Sequence, residues 1–206
     1  MGALALAAVA GAAGKNQPST IYVDKAGGYA ITIPTTWQLI PRTVPAVKAL
    51  AAKLQRKSAT KSLAGYYRGI IASKSGLAGL KAYRFQAFDW PDSLDSPVPI
   101  EVSVGVVPTK TAFTASDLPA IGNEFARSFL ANKGAKVTQP KTVTLPAGKA
   151  SFFEGVVPIG AGFTNGIAMY LIPHGKRVYE LAFGIEGSQL TSATLFNSIA
   201  QHFKFV

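Results

Sequence analysis

The stretch GYAITIPTTW, Gly28–Trp37, decides the fold of this chain. The large apolar residues Tyr29, Ile31 and Ile33 alternate with Ala30 and Thr32, and this period of two predicts a strand. Pro34 cannot donate a hydrogen bond to a neighbouring strand, so we expect the strand to end there. The apolar run Ile21–Val23 lies just before it, across a segment with two glycines, and the two runs together predict a β-hairpin.

A second stretch, LFNSIAQHFKF at Leu195–Phe205, marks the other end of the domain. Leu195, Ile199 and Phe203 recur at a spacing of four, which predicts a helix with one apolar face that runs into the C-terminus. Ser188 is a candidate N-cap residue for this helix.

The segments between these two stretches alternate between helical and strand patterns. We predict a helix over 43–62, strands over 80–90 and 100–107, a helix over 116–133 that Ser116 caps and Gly134 ends, and four strands near 136–145, 150–158, 163–172 and 177–186. Asn165-Gly166 and His174-Gly175 are expected at turns, and the glycine- and serine-rich segment 63–79 receives no assignment. Successive strands favour an antiparallel sheet, so we expect an α+β fold with about six to seven strands under α-helices.

The strand Tyr29–Ile33 with the following Pro34-Thr35-Thr36-Trp37 resembles the opening motif of the PsbP-like family, and Phe196–Phe205 resembles its terminal helix. That family includes the extrinsic protein of photosystem II, a Ran-binding nuclear transport factor and many exported bacterial proteins. The resemblance implies an α/β/α sandwich and a non-enzymatic protein that acts by docking to larger assemblies. The motifs that carry it form core and do not transfer a partner.

Composition and the N-terminal residues indicate the number of domains and the location of the protein. The chain has 206 residues, of which 48% are apolar, and this predicts one globular domain over 15–206. Residues 1–14 form an apolar leader that is too short for the roughly 20 residues of a membrane span. Ala10-Gly11-Ala12 supplies a small-residue cleavage pattern, although a basic start is missing. We expect an export signal and an extracytoplasmic protein, secreted or associated with the cell envelope; an alanine-rich flexible leader is the alternative.

The charge distribution provides the strongest functional signal. The net charge is +11, no acidic residue lies between Asp24 and Asp89, and ten basic residues lie within 42–84. We predict a basic helical segment over 42–79 that binds an acidic protein, a wall polymer or an anionic membrane surface. Export and the lack of a nucleic-acid-binding motif disfavour nucleic acid. The alternative is a solvated helix face that only aids solubility. The residues predicted to form the docking surface are Lys53, Arg56, Lys57, Lys61 and Arg68.

The remaining motifs predict no catalytic, cofactor or metal site. Without cysteine there is no thiol nucleophile or cysteine-based zinc site. Gly160–Gly166 lacks the Gly-Lys-Ser/Thr ending of a phosphate-binding loop and is interpreted as a β-turn. His174 and His202 lack a partner at metal-binding spacing. Trp37 and Trp90 are interpreted as packing residues. The acids of one loop are Asp89, Asp92, Asp95 and Glu101. Their carboxylates could bind a hard cation, but the loop lacks the glycine and bidentate glutamate of an EF-hand. The alternative interpretation is that these acids only form turns.

Three hypotheses of function follow. The first is an exported accessory protein that docks through its basic surface. The second is a carrier of a small molecule or cation, which requires a pocket between the sheet and the helices. The third is a hydrolase, which requires His174 or His202 to meet a serine and an acid.

Overall fold

The computed structural model describes residues 18–89, 100–160, 162–187 and 193–206. Five helices and eleven strands lie in these ranges, with short 3₁₀ turns at Ser58–Thr60 and Ala115–Asp117. In chain order they are β1 (Ser19–Asp24), β2 (Tyr29–Pro34), β3 (Gln38–Leu39), α1 (Val44–Gln55), α2 (Lys61–Ala72), α3 (Lys74–Ala82), β4 (Tyr83–Phe88), β5 (Glu101–Pro108), α4 (Leu118–Leu130), β6 (Lys136–Val137), β7 (Lys141–Leu145), β8 (Gly148–Gly160), β9 (Phe163–His174), β10 (Arg177–Glu186), α5 (Ala193–Gln201) and β11 (Lys204–Phe205).

The strands form two antiparallel sheets. The larger sheet has eight strands in the order β3-β4-β5-β10-β9-β8-β6, with β7 also paired to β8, and the smaller has the order β1-β2-β11. The predicted α+β class, the antiparallel sheet and the first hairpin are therefore confirmed. We expected about six to seven strands in one sheet; the large sheet has eight, and the hairpin belongs to a separate sheet.

Both faces of the large sheet are covered. One face packs against the small sheet and α5 in the main core, which includes Tyr29, Phe183 and Phe196. The other face carries two separate apolar clusters. Helices α1–α3 cover Phe88 near one end of the sheet, and α4 covers Phe153 near the other. Apolar surface buried on both sides makes the sheet the middle layer of a sandwich.

The helical region after Arg42 differs from the prediction. The helix expected over 43–62 ends at Gln55, because the chain turns there. The Thr60 hydroxyl donates a hydrogen bond of 2.7 Å to the Leu54 carbonyl oxygen. The unassigned segment 63–79 forms most of α2 and α3. Its glycines disfavour helix locally, but burial of an apolar face stabilises these helices. Gly76 lets α3 approach the backbone of Ile70, which an added Cβ atom would contact.

The strand predicted over 80–90 also changes its bounds. Residues 80–82 complete α3, so β4 begins only at Tyr83, and the expected strand over 136–145 is divided into β6 and β7. The helix expected from Ser116 begins at Leu118, after a capping box in which Thr114 and Asp117 bond each other's backbone. The helix also ends earlier than expected, at Leu130, so Gly134, at φ +83°, does not end it but lies in the turn that follows.

Two further predictions need correction. The chain does not end in a helix, because α5 stops at Gln201 and Lys204–Phe205 pair with β2. Asn165-Gly166 does not form a turn but lies inside β9, where Asn165 pairs with Val157. The turn predicted at His174-Gly175 is present. The predicted cap at Ser188 lies outside the described residues.

The two sheets are joined at the turn between β1 and β2. The buried carboxylate of Asp24 accepts a hydrogen bond of 2.8 Å from the Gly27 backbone N–H. It also accepts two from Arg84, of 2.7 Å from Nε and 3.0 Å from Nη2. The Gly27 carbonyl oxygen accepts hydrogen bonds from the Tyr179 hydroxyl at 2.9 Å and from Arg177 at 3.0 Å. Side chains of β4 and β10 thus hold one turn of the small sheet.

A β-bulge brings Arg84 to this turn. Tyr83 pairs with Gly105, but Phe85 already pairs with Val104, so Arg84 is the extra residue between them. Bulges commonly redirect a side chain in this way. The Arg84 hydrogen bonds hold the pKa of the Asp24 carboxyl below its usual value of 3.8.

Arg84→Met should lower the free energy of unfolding by about 2 kcal/mol at pH 7, because it leaves a buried carboxylate without its cation. The loss of stability should be smaller in the double variant Asp24→Asn/Arg84→Met than in Arg84→Met, because no buried carboxylate is then left unpaired. Since the folded-state pKa of Asp24 is lowered, the stabilisation is present above pH 3.8 and disappears as the pH falls through the folded-state pKa. Urea denaturation at pH 7 and pH 3 measures it. Arg68→Met is the exposed control, and an equal loss in that control would contradict this role.

Candidate functional site

The predicted docking residues lie on the outer side of α1 and α2. The inner sides of these helices bury Val47, Ala51, Leu63 and Tyr67 against the large sheet. The outer side carries five exposed cations, which we call the basic helical surface: Lys53, Arg56, Lys57, Lys61 and Arg68. The apolar core beneath them does not depend on these charges.

The structure groups four of these cations differently from the prediction. Lys53, Lys57 and Lys61 do not form a row on one helix, because α1 ends at Gln55. Instead, Lys53 lies in the last turn of α1, Arg56 and Lys57 lie in the connection, and Lys61 begins α2. They are gathered at one end of the helix pair, and Arg68 lies further along α2.

No side-chain ion pair within the described residues neutralises this surface. The position of Lys53 near the C-terminus of α1 is electrostatically favourable, since that end of a helix carries partial negative charge. The position of Lys61 at the N-terminus of α2 is unfavourable, and the first turn of α2 has no acidic residue. The arrangement therefore leaves uncompensated positive charge that an external anion can neutralise.

A second feature is a cleft of about 460 Å³ between β1, β4 and the start of α1. Apolar and aromatic side chains make up part of its wall, and two arginines contribute to the rest. The lining residues are Tyr22, Leu39, Ile40, Pro41, Arg42, Thr43, Ala46, Arg84, Phe85 and Gln86. Its size is within the range of small-molecule sites.

A third feature is a pair of carboxyl groups on the helix-covered face of the large sheet. Glu101 on β5 lies opposite Gly184 of β10, and Glu180 on β10 lies opposite Gly105 of β5. Each glutamate side chain lies over the opposite glycine: an added Cβ atom at Gly184 would be 2.9 Å from Glu101 Cγ, and one at Gly105 would be 2.9 Å from Glu180 Oε2. Burial raises the pKa of Glu101 to about 7 and also raises that of Glu180.

The alternation over 100–107 predicted only one buried face for β5, and this was wrong. Ser103 and Gly105, on the face expected to be exposed, are buried. The local pattern could not show that helices from distant segments cover the second face.

Of the four acids in the predicted acidic loop, the structure describes only Asp89 and Glu101. Asp92 and Asp95 lie outside the described residues, and so does Trp90. Within the described ranges, no group of three metal-ligating side chains could hold an ion. In Gly160–Gly166, Gly162 has φ +81° and lies between β8 and β9, which fits the predicted turn.

Both histidines make structural contacts. The His174 ring stacks on Phe205 with 3.9 Å between ring centroids, and His202 Nδ1 is 2.7 Å from the Ser198 carbonyl oxygen of α5, the helix that ends just before it. In the described part of the chain neither forms an ion pair with an acid. Trp37 is buried in the main core, as predicted. Among the described helices, none is long and apolar enough to cross a membrane.

Two solved structures are similar to this chain over most of its length. One is cyanobacterial PsbP (CyanoP) from Synechocystis sp. PCC 6803, with 13% identity, a TM-score of 0.55 and coverage of 91% of this chain and 92% of that chain. This chain has a PsbP-like fold. The second structure is LpqN, which is involved in cell envelope biogenesis of Mycobacterium tuberculosis, with 12% identity, a TM-score of 0.54 and coverage of 93% and 87%.

The PsbP-like fold confirms the resemblance drawn from Tyr29–Trp37 and Phe196–Phe205. Neither a protein-family model nor a curated protein sequence matches the chain. At identities this low, the likeness shows the fold, and the site must be argued from this chain's own residues.

Glu101 makes stability depend on pH. Its pKa is about 7 in the folded protein against 4.5 ordinarily, so the folded state binds the proton more tightly. The resulting stabilisation is fully present below pH 4.5 and is lost as the pH rises through 7. Glu101→Gln should therefore raise the free energy of unfolding at pH 8 relative to the wild type. We expect a gain of about 2 kcal/mol, less than the full shift implies, since part of the Glu101 side chain remains in contact with solvent.

Urea denaturation between pH 4.5 and 8 measures this effect. The exposed Glu124 of α4 offers a matched control, because Glu124→Gln makes the same change of group on a solvated surface. If the free energy of unfolding of both Glu101→Gln and Glu124→Gln depends on pH as that of the wild type does, burial of Glu101 is not the cause of the pH dependence.

Proposed function

We propose that this PsbP-like protein is a non-enzymatic accessory protein of the cell envelope, and that it docks to an anionic partner through its basic helical surface. The observation that carries the proposal is a set of five exposed cations on one helix pair, with no ion-pair partner among the described residues. The sheet and helices are held by apolar contacts beneath them, so these charges are available for binding.

The electrostatics of the helix ends support docking. Arg56, Lys57 and Lys61 lie within six residues of each other, and Lys61 adds charge to the positive end of α2. Each basic residue near an anionic surface contributes about 1 kcal/mol, and several act together within a Debye length of roughly 8 Å at physiological salt. A solvated helix face that only aids solubility does not need its cations gathered at one end.

The proposed location outside the cytoplasm has two supports. One is the apolar leader at residues 1–14, which has the apolar stretch and the small-residue pattern of an export signal but lacks its basic start. The other is the similarity to LpqN, which is itself involved in cell envelope biogenesis. The role of an accessory binding protein also fits a chain whose two histidines are engaged in packing and backbone contacts.

Binding to anionic vesicles tests the proposal. The triple variant Lys53→Glu/Lys57→Glu/Lys61→Glu should bind vesicles of phosphatidylcholine and phosphatidylglycerol roughly 100-fold more weakly than the wild type, because three favourable contacts of about 1 kcal/mol each are lost. Wild-type binding should also fall steeply between 50 and 300 mM NaCl. Co-sedimentation with vesicles measures both effects. A second arm replaces the vesicles with a purified anionic wall polymer.

The matched control is Lys110→Glu/Lys133→Glu/Lys176→Glu, which changes the net charge equally at exposed lysines elsewhere. It should retain most of the binding. An equal loss in both triple variants would show that net charge alone drives binding and would overturn the assigned surface. Binding that is insensitive to salt, or no binding in either arm, would also contradict the proposal.

A further inference from the structure

The cleft at the start of α1 is lined by apolar side chains on one side and by polar groups at one end. The Tyr22 and Phe85 rings are in contact, tilted by 45° with 4.6 Å between centroids, and Ile40 adds an aliphatic side chain to the wall. Leu39, also in the lining, is 44% exposed, an unusual position for a large apolar side chain. This side of the cleft is suited to the apolar part of a ligand.

The charges in the cleft do not cancel. Arg84 forms an ion pair with Asp24 through two hydrogen bonds. Arg42 is exposed, lies close enough to Asp24 to act on it electrostatically, and has no hydrogen-bond or ion-pair partner among the described residues. One acid and two arginines leave one positive charge at the polar end.

The N-terminus of α1 lies beside that charge. Its N–H groups are mostly used within the chain, because the Val47 N–H bonds the Thr43 carbonyl oxygen and Pro45 has no N–H. Thr43 caps α1 and its hydroxyl oxygen accepts the Ala46 N–H, while the first turn of α1 contains no acidic residue. The partial positive charge of this helix end is therefore added to that of Arg42.

A buried polar group also lies near the cleft. Tyr29 is fully buried and its hydroxyl has no hydrogen-bond partner in the described structure. It lies within electrostatic reach of Tyr22, Arg42 and Arg84, all three of which line the cleft. Buried hydroxyl groups normally bond to a protein group, a water molecule or a ligand. Tyr29 does not itself line the cleft, so its hydroxyl adds to the polarity near the cleft and is not assigned as a ligand contact.

We propose that this cleft binds a small amphiphilic anion, with the anionic head on Arg42 near the positive N-terminal end of α1 and the apolar part against Tyr22, Ile40 and Phe85. The head is a carboxylate, phosphate or sulfonate group, which matches guanidinium geometry. A cationic ligand does not fit, because the only acid beside the cleft in the described chain, Asp24, is already paired with Arg84. The site does not include any residue of the basic helical surface.

A pair of fluorescent probes tests this assignment. Anilinonaphthalene sulfonate carries an anionic head on an aromatic body, and N-phenylnaphthylamine is the same body without the head. Arg42→Gln should weaken binding of the sulfonate about tenfold, the usual effect of losing one charge-assisted hydrogen bond, and should change binding of the neutral probe less than twofold. Ala46→Phe, which adds bulk at the exposed Ala46 in the lining, should weaken both probes.

Two controls make the result specific. Lys110→Gln removes a charge elsewhere and should leave both affinities unchanged. The triple charge-reversal variant of the basic helical surface should also keep its sulfonate affinity, so that failure of the cleft and failure of the docking surface can be distinguished. If Arg42→Gln binds the sulfonate as the wild type does, or if Ala46→Phe affects neither probe, the assignment is overturned.

Competition then identifies the head group. Laurate and dodecyl phosphate should both displace the sulfonate probe, and their relative potency distinguishes a carboxylate from a phosphate ligand. Dodecanol, with the same chain but no charge, should displace it at least tenfold less effectively. Equal displacement by dodecanol would show that the site does not select an anion and would overturn the proposal.

Discussion

The buried carboxylate of Asp24 is the group on which the arrangement of the two sheets depends. It closes the turn of the small sheet through Gly27 and binds Arg84 of the large sheet. A buried carboxylate is tolerated only when its hydrogen-bonding capacity is filled, so the turn and the bulge at Arg84 require each other. Tyr179 and Arg177 add a second pair of contacts at the Gly27 carbonyl oxygen.

The same ion pair shapes the charge of the cleft. Because Asp24 forms its ion pair with Arg84, the neighbouring Arg42 has no partner among the described residues. A structural interaction and a binding property are thus linked: the contact that joins the sheets also decides which arginine is available. The basic helical surface stands apart from this arrangement, on helices whose own apolar cluster packs around Phe88.

The candidate sites were predictable to different degrees. Lys53, Arg56, Lys57, Lys61 and Arg68 were found from the sequence, because a long run without acids is visible in one dimension. Their arrangement was not, since the helix expected to carry them ends at Gln55 under the influence of the Thr60 hydroxyl. The cleft gave no sequence signal. Its residues come from three separate segments, and nothing in the spacing of Tyr22, Arg42 and Phe85 indicates that they meet.

The sequence by itself determined the alternating strands, the first hairpin, the turn at His174-Gly175 and the α+β class, because each follows from a local period or a turn residue. Only the tertiary structure decided that Lys204–Phe205 would pair with β2, that Glu101 would be covered, and that Arg84 would reach Asp24. Those outcomes depend on contacts between residues far apart in the chain. The free energy of such contacts exists only once the sheets and helices have packed together, so no local pattern contains it.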